Sequence, residues 1–136
     1  KVHALGHYNM NRAVVPNMAK NQFGRVVCVT SILAITATYD SAAYSASKGA
    51  ATTQCRAFAR KYGKDNITFN AVLPGMTMSP MKDDATKEEY EYVKAFTPLG
   101  RVGDPIDVAR VALFLAQENL FVTGQSWIVS GGFDIF

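Results

Sequence analysis

The sequence predicts an α/β layered domain with a parallel sheet, and three observations carry that prediction. Short β-branched and apolar runs recur at 24–31, 67–75 and 124–131, the texture of strands buried on both faces. Segments of helical character separate them, as parallel neighbours require. With 136 residues, 49% hydrophobic and 18% charged, the chain reads as a single domain over 1–136, long enough to bury a core.

The elements follow in order. Residues 2–20 have helical periodicity, and "GRVVCVTS" at 24–31 is the first buried strand. A small-residue loop is expected at 32–42, and then "AYSASKGAATTQCRAFARKY" at 43–62 reads as a long helix whose basic end suits the helix dipole. Gly63 marks its end. "ITFNAVLPG" at 67–75 is the second strand, stopped by Pro74 and Gly75. In the polar stretch 76–98, Thr86 and Glu89 stand in capping-box register for a helix running to about Phe96. Asp104 and Pro105 form an N-cap and first-turn proline for a helix ending near Gln117. "GQSWIVSG" at 124–131 is the last strand. Three strands make a narrow sheet with unprotected edges, so further strands, from a missing segment or a partner, are a physical expectation.

Composition excludes several classes of function. The longest apolar runs, such as "VALFLA" at 111–116, fall far short of a membrane span, and the first residues lack a secretory pattern. No membrane association is expected, and a cytoplasmic placement is. Cys28 and Cys55 have no metal-ligand spacing and read as buried free thiols. Residues 1–64 hold nine Lys or Arg against the single acid Asp40, whereas the remainder holds five against ten. That basic half could attract an anion, but its charges are dispersed and accompany no nucleic-acid motif, so no nucleic-acid partner is expected. His3 and His7 are one helical turn apart without an acidic or cysteine partner in the same helix, so no metal site is expected.

The chemistry-bearing stretch is "SAAYSASKGAA" at 41–51. Tyr44 and Lys48 are four residues apart and share a helix face. A phenol is a poor base at neutrality, and a neighbouring cation favours its ionised form. Ser31 ends the first predicted strand, and the second ends in "NAVLPGMTMSP", so all of these converge on the carboxyl edge of a parallel sheet. Ligands of open α/β sheets bind at that edge.

These residues identify a family. "GRVVCVTSILA", with Ser31 thirteen residues before the tyrosine, "YSASK", "ITFNAVLPGMTMSPM", "PLGRVGDPIDVARVALFLA" and "VTGQSWIVSGG" appear in order, and the chain resembles the short-chain dehydrogenase/reductases. The resemblance implies a Rossmann-like, doubly wound parallel sheet. It also implies an oxidoreductase that interconverts a secondary alcohol and a ketone with NAD or NADP. By it Tyr44 is the general acid/base, Lys48 assists it and hydrogen-bonds the nicotinamide ribose, and Ser31 holds the substrate oxygen. Pro74, Gly75, Thr77 and Ser79 are implied contacts of the nicotinamide, with Tyr44 and Lys48 beside it. Residues 76–100 would form a substrate lid. Its Met, Tyr90, Tyr92 and Phe96 suit a hydrophobic alcohol, a hydroxysteroid or a 3-oxoacyl group. Helices 2–20 and 43–62 would pair with their twofold mates in a dimer or tetramer.

The sequence also departs from the pattern. None of the ten glycines forms the family's glycine-rich pyrophosphate turn, so the sheet is expected to be incomplete and the match to cover the family's carboxyl-terminal half. His3 stands where the family's catalytic tetrad has asparagine, and "VSGG" stands where many members have aspartate before the two glycines. A histidine there could relay protons or simply pack. The same departures support an alternative, a non-catalytic half-domain that dimerises or complements a separate chain.

Overall fold

A computed structural model describes residues 2–78, 86–117 and 121–134. The order is α1 (Val2–Lys20), β1 (Gly24–Val29), α2 (Leu33–Thr36), α3 (Ala42–Tyr62), β2 (Ile67–Pro74), α4 (Lys87–Phe96), α5 (Pro105–Leu115) and β3 (Ser126–Val129). The three strands form one parallel sheet in the order β1-β2-β3. Val26 faces Phe69 across the first ladder, and Val72 faces Trp127 across the second.

Strand β2 lies in the middle and is buried almost throughout. Period-2 alternation sends Ile67, Phe69, Ala71 and Leu73 to one face, where they meet Val15 of α1 and Ala51, Cys55 and Ala59 of α3. Phe58 and Phe69 stack at 5.4 Å between ring centroids, with Tyr62 alongside Phe58 at 5.9 Å. The opposite face belongs to α5: Phe114 meets Trp127 edge-on at 5.7 Å, and the Arg25 side chain donates to the Gln117 carbonyl at 3.1 Å. Helices therefore cover both faces, the doubly wound arrangement. Asn70 is the polar exception inside β2, only 1% exposed, and its amide is satisfied on both sides. It donates to Val122 O at 3.1 Å and accepts from Gln125 N at 3.1 Å, fixing the approach to β3.

Several boundaries differ from the sequence expectation. The first ladder ends at Val29 rather than residue 31, although Thr30 N and Ile32 N still donate to Val72 O and Pro74 O. The expected loop at 32–42 contains the single turn α2 and a 3-10 turn, Tyr39–Ser41, because Ser31 Oγ accepts from Leu33 N at 3.2 Å and starts a helical turn. Gly63 follows the end of α3 but keeps a right-handed φ of −58°, and the chain continues into a 3-10 turn, Gly63–Asp65. The left-handed residue that turns the chain is Asn66, φ 56°, whose side chain donates to Gln22 O. At the end, α5 stops at Leu115 and β3 is limited to Ser126–Val129. The capping box at Thr86 and Glu89 is present, with bonds of 2.8 and 3.1 Å. Cys28 and Cys55 are both buried and unbridged. Among the described residues no helix is long and apolar enough to cross a membrane.

His7 sits half-buried at the seam between α1 and β1, its Nδ1 3.2 Å from Cys28 Sγ. Desolvation, then the charge of Lys48 and the nearness of His3, holds it below its usual value of 6.5. The unfolded chain thus binds more protons than the folded one just below pH 6.5. Stability is expected to rise with pH through that window and to be lost on acidification. Urea midpoints measured at intervals between about pH 5 and about pH 7 should fall on the acid side, and His7→Met should flatten the slope. Phe69→Ala empties the centre of the aromatic stack and should cost about 3–5 kcal/mol, read as a lower urea midpoint with unchanged denaturant slope.

Candidate active site

The parallel topology gathers the carboxyl ends of β1 and β2 beside the amino end of α3. Ser31 lies just past β1, 8% exposed, held by the bonds of its neighbours Thr30 and Ile32 to β2. Its hydroxyl accepts from Leu33 N, which leaves the hydroxyl proton to donate outward. Tyr44 and Lys48 occupy the first turns of α3, with Lys48 Nζ 5.5 Å from the centroid of the Tyr44 ring. Their burial is opposite: Lys48 is 8% exposed and Tyr44 37%. Thr52, one turn further on, is within hydrogen-bond distance of Lys48 O at 3.0 Å and Thr30 Oγ1 at 3.1 Å. It ties α3 to the end of β1.

His3 joins this group from α1. Its ring stands edge-on to Tyr44, 6.0 Å between centroids and 83° between planes. Gln54 of α3 donates to Ala4 O at 2.9 Å and holds the two helices together there. Desolvation first, then the charge of Lys48, lowers the His3 pKa, so the imidazole is neutral at neutral pH.

On the other side of the sheet edge, Pro74 ends β2 and Gly75 N donates to Val129 O at 3.0 Å. Gly75 passes so near the last strand that a Cβ there would lie 2.8 Å from Ser130 Cβ. Thr77 forms an isolated parallel bridge with Gly103, and its hydroxyl donates to Gly75 O at 3.3 Å. Ser79 lies outside the described residues. A cleft of about 170 Å³ opens beside Thr77, lined also by Leu99, Arg101, Asp107 and Val129. It shares Thr77 with the candidate site but none of Ser31, Tyr44 or Lys48.

Part of the supporting frame is missed by a reading of the sequence alone. Gly131 and Gly132 have φ of 65° and 89°, and a Cβ at either would strike Thr97 at 2.7 Å or Pro98 at 2.9 Å. The "VSGG" turn therefore seats the end of α4, with Leu99 N donating to Gly131 O at 3.2 Å. On α4, Tyr92 contacts Phe96 at 4.7 Å and Phe133 at 6.5 Å. Thr52, seven residues before Ala59 and eight after Tyr44, carries no motif; only its position on the buried side of α3 could have signalled it. Arg101 and Asp107 face each other across a turn, a pairing that helical i,i+4 logic does not reach.

The family model described as enoyl-(acyl carrier protein) reductase matches residues 1–134. The 3-oxoacyl-[acyl-carrier-protein] reductase FabG of Thermotoga maritima is 36% identical over 132 residues, covering 96% of this chain and 54% of that protein. A 7α-hydroxysteroid dehydrogenase complexed with NADH and 7-oxo glycochenodeoxycholic acid superposes with a TM-score of 0.91 at 32% identity, covering 96% of this chain and 52% of the other. A gluconate 5-dehydrogenase from Burkholderia cenocepacia J2315, in complex with NADP and tartrate, superposes with a TM-score of 0.89 at 26% identity, covering 94% and 51%. The chain spans about half the length of the curated relatives it matches. Since the match runs through residues 1–134 and the fold superposes on complete members of the group, the chain belongs to the short-chain dehydrogenase/reductase family.

Proposed function

We propose that the chain is the catalytic half of an NAD- or NADP-dependent oxidoreductase that interconverts a secondary alcohol and a ketone. One observation carries this reading: a buried ammonium, Lys48, lies beside an accessible phenol, Tyr44, at the carboxyl end of a parallel sheet. Burying a lysine charge costs free energy, so a buried lysine at a sheet edge marks a functional position.

In this reading Tyr44 gives a proton to the carbonyl oxygen, or takes one from the alcohol. Lys48 stabilises the negative charge that develops on the phenol oxygen and reaches the nicotinamide ribose. Ser31 donates the second hydrogen bond that an alkoxide-like oxygen needs. His3, neutral and edge-on to Tyr44, replenishes the proton from the side of α1. When bound, the nicotinamide supplies or accepts the hydride. Pro74, Gly75, Thr77 and Ser79 would hold its carboxamide end. The pyrophosphate has no glycine-rich cradle within these residues.

The stretch 76–100 serves as the lid, and the Tyr92, Phe96 and Phe133 rings favour a hydrophobic substrate such as a hydroxysteroid or a 3-oxoacyl group. Exposed Leu5, Met10 and Val14 on α1 suit pairing with a second copy through α1 and α3. Two unbridged cysteines suit a reducing compartment such as the cytoplasm. Tyr44→Phe in the intact protein is expected to lower kcat by roughly 10²-fold or more, followed by nicotinamide absorbance, with an unchanged melting temperature. Turnover retained by that variant overturns the role of Tyr44.

A second reading is an association module that pairs with another chain through α1 and α3 and does not catalyse, supported by the exposed Leu5, Met10 and Val14. Titration of the intact protein with reduced nicotinamide dinucleotide separates the two. Fluorescence-detected binding in the micromolar range supports the enzyme reading. A dimer on gel filtration that binds no dinucleotide supports the module.

A further inference from the structure

Arg101 and Asp107 make the strongest ion pair among the described residues. Arg101 Nη1 donates to Asp107 Oδ2 at 2.7 Å and Nη2 to Oδ1 at 2.9 Å, a two-pronged geometry that a fixed fork favours. The same Asp107 Oδ2 accepts from Asp104 N at 2.8 Å, and Arg101 Nη1 also reaches Val102 O at 3.1 Å. Every residue of the 101–104 turn except Gly103 is thus tied by the pair. Gly103 is gripped elsewhere. Its N–H donates to Met76 O at 3.1 Å, and its C=O accepts from Met78 N at 2.9 Å.

This is one rung of a parallel ladder, standing apart from the sheet. In such a rung, one residue spends both backbone groups on the neighbours of its partner, and the partner's own N–H and C=O point the other way. The partner is Thr77. The turn therefore decides which way the Thr77 peptide groups face. The approach is close, since a Cβ at position 103 would lie 3.2 Å from Met76 O and 3.4 Å from Thr77 Oγ1. Exposed ion pairs contribute little to global stability, and the Arg101 side chain is 50% exposed, so the pair's effect is local. Asp107 is held down to about 2, chiefly by the Arg101 hydrogen bonds, so the pair stays ionised at neutral pH.

We propose that Arg101 and Asp107 are positioning residues, which lock the 101–104 turn so that Gly103 holds Met76–Met78 and aims the Thr77 backbone at the nicotinamide carboxamide. The inference rests on the oxidoreductase reading for its ligand, though not for the grip itself. Two measurements keep these apart. Amide hydrogen exchange by NMR on the chain reads the grip directly. In Asp107→Asn the Met78 and Gly103 amides should exchange about tenfold faster or more, while Ala71 and Phe69 of β2 keep their wild-type rates. Asp107→Glu should restore much of the protection. Steady-state kinetics of the intact protein read the consequence: Asp107→Asn should raise KM for the dinucleotide about tenfold and change kcat by less than about twofold. Unchanged Met78 exchange overturns the proposal, as does equal acceleration in β2, which would mean general loosening. A fall in kcat with KM unchanged also overturns it. If wild-type protein shows no nicotinamide-dependent turnover, the oxidoreductase reading and the aim at nicotinamide both fail, and exchange alone decides the grip.

Discussion

The structure depends on β2 being buried on both faces and paired on both edges. A strand in that position must satisfy each ladder N–H and C=O through a neighbour, so the registers of β1 and β3 are set against it. Its odd-numbered side chains, Ile67 to Leu73, demand cover from α1 and α3, while Val72 on the other face is 0% exposed beneath α5. Asn70, the buried polar side chain on that strand, anchors the segment before β3. Because all three strands run the same way, their carboxyl ends coincide, and a site at that edge follows from topology before any catalytic residue is considered.

The site itself is graded from rigid to adaptable. Lys48 is held deep, with Thr52 linking its own turn of α3 to Thr30 past the end of β1, whereas Tyr44 is exposed to solvent. Across the edge, the Pro74–Thr77 segment is shaped by what lies against it: Ser130 behind Gly75 and Gly103 behind Thr77. At Gly75, Gly131 and Gly132 backbones or side chains pass too closely for a Cβ, and at Gly103 the fit is tight. Two of the departures from the family pattern, His3 and the "VSGG" turn, have different physical weight. His3 places a second titratable ring edge-on to Tyr44, 6.0 Å between centroids. The "VSGG" turn is a packing device for the Thr97–Pro98 end of α4, with Ser130 Oγ accepting from Asp134 N.

Tyr44 and Lys48 were legible because they are one turn apart on one helix, so local geometry brings them together whatever the fold. Ser31 was legible at one remove, through its place at the end of a strand. The Thr86–Glu89 cap was equally local and is present as read. Gly63 marks the end of α3 as read, while the left-handed turn falls three residues later at Asn66. There the Asn66 side chain can also reach Gln22 across the neighbouring turn. The helical turn within 32–42 escaped notice because a four-residue helix leaves no periodicity, and its start depends on the Ser31 hydroxyl facing back along the chain.

By itself the sequence determined the alternation of strands and helices, the identity of the strand cores and the shared face of Tyr44 and Lys48. These follow from side-chain period, capping chemistry and turn residues, all of which act within a few positions along the chain. Only the tertiary structure decided that Cys28 meets His7, that Thr52 joins Thr30 to Lys48, and that Arg101 and Asp107 hold the turn behind Thr77. It also decided how deeply Lys48 is buried beside an accessible Tyr44. Most of these contacts link different elements, and how close two elements come depends on how completely the core between them is filled.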